Sequence, residues 1–172
     1  IHRMKVPVIA IIEDSTIIRE VVTRVMETQL NARVITFDSA ESAIREIDVY
    51  EPNVILLDYN LDSVSANNMN GMQFVKKLNM VGKSIPIIMM SGQRDKRVTA
   101  DVLREGVVNY LAKDDDNFLE NIVTEVQCVL DVLKLNKQQK KQQKDINKRI
   151  VRVASLILVP ILIVLACLYF QS

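Results

Sequence analysis

Histidine occurs once in this sequence, at His2, and cysteine twice, at Cys128 and Cys167. A single imidazole can build neither a histidine metal cage nor a nucleophile triad that depends on histidine. The cysteines lie in unlike segments, one amphipathic and one apolar, so no disulfide between them is expected. Both read as buried packing thiols suited to a reducing compartment. Basic residues are also short in the body of the chain, where Ile1 to Leu133 holds 14 Lys/Arg against 20 Asp/Glu. Phosphate contacts need clustered Lys and Arg, so this part is not expected to bind nucleic acid.

What the chain has is a pair of apolar runs that end in acid. Val54-Ile-Leu-Leu stops at Asp58, and Val6 to Ile12 runs straight into Glu13 and Asp14. A run without polar alternation suits a strand covered on both faces, as in a parallel sheet, although periodicity alone leaves a buried helix open. In such sheets ligands bind beyond the carboxyl ends of the strands, where strand order reverses. Two strands therefore deliver three carboxylates to one rim.

Between and after these runs the pattern alternates. Ser15 or Thr16 can cap a helix to about Gln29, with Ile17, Ile18, Val21, Val22 and Val25 on its inner side. Arg33 to Phe37 reads as a strand. Asp38 with Glu41 resembles a capping box for a helix to about Tyr50, which Pro52-Asn53 breaks. Tyr59 to Asn70 reads as a loop, and Gly71 to about Val81 as a helix. A fourth strand ends at Ser91, and a helix from about Arg94 to Glu105 closes on Gly106. Val107 to Leu111 is the fifth strand, followed by Lys113, and Asp114 to Asp116 suit the start of a final helix. Strands alternating with helices in this way predict a doubly wound α/β fold.

The charge balance then reverses. From Lys134 to Ser172 there are 8 basic residues and one acid, Asp145. Residues 134–152 read as a basic linker or a solvated continuation of the last helix. Val153 to Phe170 is apolar except for Ser155 and Pro160, and as a helix it would cover roughly 27 Å, close to a bilayer's hydrocarbon thickness. We expect one transmembrane helix at 153–170, kinked by Pro160. Because the basic residues all precede it, the N-terminal part is expected on the cytoplasmic face of the inner membrane. The basic segment can also meet anionic lipid headgroups. The expected organisation is thus 1–133 as the folded domain, 134–152 as the juxtamembrane segment and 153–170 as the span.

Glu13, Asp14 and Asp58 need compensation if they share a dry site, and hard oxygen donors without His or Cys favour Mg²⁺, with Mn²⁺ as a second choice. Ser91 and Lys113 bring a hydroxyl and an ammonium to the same rim. A divalent ion, a nucleophilic carboxylate, a hydroxyl and a lysine are the parts that move a phosphoryl group onto Asp58. A phosphatase-type hydrolase with an Asp nucleophile would need a second acid two residues on, where Asn60 stands.

With these residues in order, 1–133 resembles a response-regulator receiver domain of two-component signalling. The resemblance is carried by Glu13-Asp14, by Asp58 after Val-Ile-Leu-Leu, by Ser91 after Pro86-Ile-Ile-Met-Met, and by Tyr110-Leu-Ala-Lys113. It implies a flavodoxin-like five-stranded parallel sheet in the order 2-1-3-4-5. It also implies that Asp58 accepts phosphate from the phosphohistidine of a sensor histidine kinase or a histidine phosphotransfer protein. By the same match Asp14, Asp58 and the Asn60 carbonyl hold Mg²⁺, with Glu13 acting mostly through water. Lys113 and Ser91 would meet the phosphoryl oxygens, and Tyr110 would turn inward behind Ser91. Asn60 and Gln93 would tune hydrolysis of the phosphoryl group.

The sequence departs from the family pattern in three places. Glu13 replaces the commoner Asp, and Asp114 stands where many receivers carry Pro. The loop after Asp58 lacks the usual Met-Pro and is longer, with Asn67, Asn68 and Asn70.

The function expected is a membrane-tethered, phosphorylation-controlled protein-interaction switch. No output module follows within these residues, so an unidentified output protein is expected as partner. A homodimer could form through the face of the fourth helix, fifth strand and fifth helix. The competing expectation is a degenerate receiver serving as a constitutive docking or dimerisation module. Enzymatic activity is not expected beyond self-phosphotransfer and autodephosphorylation at Asp58.

Overall fold

The three central strands are the reason the chain folds as it does. In the computed structural model β1 (Val8–Ile12), β3 (Val54–Asp58) and β4 (Ile87–Ser91) are buried at every position. Residues 6–61, 69–92 and 96–170 are described, without the side chains of 96–99, 161 and 164–170. With β2 (Arg33–Phe37) and β5 (Asn109–Ala112) these strands make one parallel sheet in the order β2-β1-β3-β4-β5. Helices α1 (Thr16–Leu30), α2 (Ala40–Tyr50), α3 (Gly71–Met80), α4 (Lys96–Arg104) and α5 (Phe118–Phe170) alternate with the strands. Runs lacking polar alternation are thus the mark of strands covered on both faces. The order reverses between β1 and β3, and the register pairs Ile12 with Leu57. One step further, Glu13 and Asp58 emerge side by side at the switch point.

Short polar groups set the turns. Asn53 Oδ1 accepts the Val8 N–H at 2.9 Å and its own N–H donates to the Val8 carbonyl at 2.7 Å, locking the Pro52-Asn53 break against β1. Asn70 and Gln73 form a reciprocal capping box at α3. Gly106, at φ +89°, takes the left-handed conformation after α4 that other residues avoid.

Several local expectations need correction. On α1, Ile17 is 76% exposed and Val21 43%, while Val22 and Met26 are buried. The apolar stretch is wider than the covered stripe, and 17 and 21 lie about 100° round the helix from 18 and 22. Ser39, not Asp38, caps α2, its hydroxyl accepting the Ser42 N–H at 3.4 Å. Asp38 instead accepts the Ser39 and Ser42 hydroxyls, and Glu41 reaches away to accept the Met69 N–H at 2.6 Å. Cys128 is exposed rather than packed. Helix α4 is described from Lys96, the expected start at Arg94 lying outside the described residues, and β5 covers Asn109–Ala112 rather than 107–111.

The chain divides into two units, Ile1–Leu130 and Asp131–Ser172. Residues 134–152 are helical, a continuation of α5 rather than an irregular linker, and Pro160 stands inside the helix. Among the described residues no helix is long and apolar enough to cross a membrane. Of the expected span, the side chains of 161 and 164–170, with Cys167 among them, lie outside the described residues. So do Gln93 and most of the long loop, 62–68.

Candidate functional site

Four of the expected residues meet at the carboxyl rim of the sheet. Glu13 and Asp58 are almost fully buried, and Asp14 is half-buried beside them. One carboxylate oxygen from each of the three lies within 4.8 Å of the other two. Lys113 Nζ sits between two of them, 2.6 Å from Glu13 Oε2 and 2.9 Å from Asp58 Oδ2.

The sheet places each group. Glu13 continues the β1 ladder, its N–H donating to the Phe37 carbonyl at 3.1 Å, and Tyr59 N–H donates to the Met90 carbonyl at 2.8 Å. Lys113 N–H donates to the Ser91 carbonyl at 2.7 Å, which ties the lysine to the end of β4. Ser91 is fully buried and pairs in register with Ala112, the residue before Lys113. The next shell of donors is backbone: Ser15 N–H lies 3.3 Å from Glu13 Oε1, and Asn60 N–H 3.2 Å from Asp58 Oδ1. Tyr110, two strand positions before Ala112, is half-buried and packed at the margin of the main core. The described residues contain no cis peptide bond, so Lys113–Asp114 is trans.

Burial is the leading cause that pushes the Glu13 carboxyl above its ordinary range. The hydrogen bond and charge of Lys113 oppose that rise, and the neighbouring Asp58 carboxylate adds to it. Lys113 therefore supplies part of the compensation that three converging acids require. The donor set is all hard oxygen, with no His or thiolate, and fits Mg²⁺ or Mn²⁺.

Two residues that sequence reasoning passed over shape this rim. The Arg19 guanidinium, one turn into α1, donates to the Glu13 carbonyl at 2.6 Å and the Asp14 carbonyl at 3.2 Å. It holds the acidic turn by its backbone and leaves the carboxylates free to face inward. Gly71 starts α3 against the end of β3, and a Cβ there would collide with the Asp58 carbonyl oxygen. The only advance signal for it was a glycine directly after a helix-capping Asn.

A family model for the response regulator receiver domain matches residues 9–126. The chain belongs to this family. Among curated proteins, it is 28% identical over 109 residues to the transcriptional regulatory protein DegU of Brevibacillus brevis, covering 63% of this chain and 44% of that protein. It is 32% identical over 129 residues to a protein-glutamate methylesterase/protein-glutamine glutaminase of Nitrosomonas europaea, covering 72% and 34%. The chain thus spans less than half the length of these curated relatives. Among solved structures, the signal receiver domain of a LuxO repressor protein from Vibrio parahaemolyticus shares the fold at a TM-score of 0.69 and 19% identity, over 78% of this chain and 97% of that one. The chemotaxis protein CheY4 of Vibrio cholerae does so at 0.63 and 23%, over 73% and 99%.

The matched region is therefore the receiver domain of a two-component response regulator. Receiver domains bind Mg²⁺ through an acidic pocket and interact with histidine kinases or phosphotransfer proteins and with output domains. They are not enzymes beyond their own phosphorylation. The esterase and glutaminase names belong to proteins about three times as long as the part aligned.

Proposed function

We propose that this receiver is a phosphorylation-controlled interaction switch. In this reading Asp58 takes its phosphoryl group from a histidine kinase or phosphotransfer protein in trans. The observation that carries the reading is the convergence of Lys113 on Asp58 Oδ2 at 2.9 Å, with Glu13 and Asp14 alongside. Asp58 Oδ1 accepts the Asn60 N–H at 3.2 Å, so the carboxylate is oriented from both sides. In the transfer, an Asp58 carboxylate oxygen attacks phosphorus, and the bond from phosphorus to the donor nitrogen breaks. The electron pair returns to the imidazole.

Asp14, Asp58 and the Asn60 carbonyl would hold Mg²⁺, with Glu13 through water. That ion would neutralise charge on the phosphoryl oxygens. Lys113 supplies a second positive charge, Ser91 the hydroxyl that reads the modification, and Tyr110 the ring that follows it. Asn60 and Gln93 would set how fast the phosphoryl group is lost. The face of α4, β5 and α5 is then the surface that changes, for an output protein or a second copy.

The test is phosphotransfer onto the full chain. Label should be lost in Asp58→Ala and depend on Mg²⁺. If Asp58→Ala takes label as well as the parent, the reading fails. A parent that folds but takes no label from any phosphohistidine donor would instead be a constitutive docking module.

The tether belongs to the same proposal. Val153 to Phe170 would cross the inner membrane once, with the receiver on the cytoplasmic face. Its support is the apolar run that follows 8 basic residues and one acid from Lys134 onward. Removing 153–172 should move the protein from the membrane pellet to the soluble fraction; a truncated form that still pellets would refute it.

A further inference from the structure

The second unit, Asp131–Ser172, carries a row of half-exposed apolar side chains. On α5, Val132, Leu135, Ile146, Ile150 and Val153 are each between 49% and 60% exposed. Their spacing is not scattered. Val132, Gln139, Ile146 and Val153 recur every seven residues, and Leu135 and Gln142 fall three residues after the first two. These are the a and d positions of a heptad.

The charges are arranged around that row. Of the eight basic residues from Lys134 to Arg152, only Arg149 falls on an a or d position. It lies beside Ile150 and four residues after Asp145, the one acid in the segment, in the order that favours an i,i+4 pair. The remaining basic side chains lie off the row, so a second helix can approach it without bringing lysines together. The surface also has a place for a neighbour. A shallow depression on α5 is lined by Gln139, Lys140, Gln142, Gln143 and Ile146. Positions 139, 142, 143 and 146 are the i, i+3, i+4 and i+7 corners of the hole that receives a knob from a facing helix.

We propose that α5 from Val132 to Val153 is the seam of a parallel, two-stranded coiled coil, and that its occupant is the same seam of a second copy of this chain. β-Branched Val132, Ile146 and Val153 at a, with Leu135 at d, are the choice that favours two parallel strands. In register, Gln139 faces Gln139 and Gln142 faces Gln142, so each amide meets an amide rather than an aliphatic side chain. Three heptads with three polar layers, at Gln139, Gln142 and Arg149, make a weak association that depends on concentration. This contact is distinct from the α4-β5-α5 face and does not rest on phosphorylation.

Cross-linking and sedimentation of the full chain in a non-ionic detergent test it. With Cys128 and Cys167 replaced by Ser, Leu135→Cys should form a disulfide-linked dimer on mild oxidation. Lys137→Cys, on the opposite side of the helix, should react several-fold more slowly. Sedimentation should show a monomer–dimer equilibrium that Ile146→Glu weakens by at least ~10-fold, since it buries a charge in the seam. Ile146 is exposed in the single chain, so that variant should keep its circular dichroism and its labelling at Asp58. A monomer at every concentration, equal cross-linking at 135 and 137, or a trimer would overturn the proposal. So would a 135-to-146 cross-link in a Leu135→Cys/Ile146→Cys chain in place of 135-to-135, because it marks antiparallel strands.

Discussion

Lys113 and Glu13, a hundred positions apart in the chain, meet at 2.6 Å, with only 1% of the Glu13 side chain exposed. The ammonium also lies 2.9 Å from Asp58 Oδ2, so one cation serves two buried acids. Removing it leaves Glu13 desolvated without the ammonium that pairs with it. Lys113→Ala should cost about 3 kcal/mol of stability near neutral pH, the range for breaking a buried pair from one side. The loss should shrink in acid, where Glu13 takes up a proton and no longer needs the ammonium. Urea unfolding of both proteins at neutral and acidic pH measures this. An equal loss at both values would show that Lys113 acts through packing alone.

Glu13 has its own pH signature. Burial raises its carboxyl above the ordinary 4.5, so between that value and the raised one the folded chain binds a proton that the unfolded chain has released. Its contribution to stability is therefore complete below 4.5 and is lost as pH rises through the folded value. Glu13→Gln carries no titrating group. Relative to the parent, the variant should gain stability as pH climbs through that window and differ least below it. Unfolding midpoints taken across the acid range would show this divergence. Parallel curves would mean that Glu13 is ionised throughout.

The acid cluster predicts a metal response that can be read without phosphorylation. Mg²⁺ should stabilise the folded chain, by about 2.7 kcal/mol at a hundredfold excess over Kd, because only the folded state gathers three carboxylates. Asp14→Ala should remove most of that gain. Asp14 is the half-buried member of the cluster, so the variant should change metal-free stability little. Thermal unfolding with and without MgCl₂, against NaCl at matched ionic strength, separates binding from screening. If Asp14→Ala keeps the full gain, the ion binds elsewhere.

The rim was legible in the sequence because Glu13, Asp58 and Ser91 each end an uninterrupted apolar run and Lys113 follows the shorter, partly buried β5. Glu13, Asp58, Ser91 and Lys113 could be placed on one edge from strand ends alone, and the register of β1, β3, β4 and β5 puts them there. Faces of helices were less legible. Ile17 and Val21 belong to the same apolar stretch as Val22, and the stretch is wider than the stripe that is covered, so its apolar pattern does not mark which of them is buried. The α2 cap was ambiguous for a local reason, since Asp38 and Ser39 are adjacent and both can cap a helix. Arg19 could not be read at all, and Gly71 only as a glycine after a helix-capping Asn. One acts by reaching back to backbone carbonyls, and the other by lacking a side chain where two backbones touch.

That close approach makes Gly71 the most specific lever on the loop after Asp58. Its N–H donates to the Tyr59 carbonyl at 3.2 Å, and a Cβ would meet the Asp58 carbonyl while lying 3.0 Å from Tyr59 Cα. Backbone atoms cannot rotate aside as a flexible side chain can, so Gly71→Ala must push α3 away from β3 or distort the turn at Tyr59. Either shift should cost about 1–3 kcal/mol, the usual penalty for overpacking. It should also disturb the Asn60 N–H that orients Asp58 Oδ1, so phosphotransfer should slow by more than the fraction of unfolded protein explains. A loss of stability with an unchanged transfer rate per folded molecule would show that α3 moves as a unit and leaves the acceptor carboxylate in place.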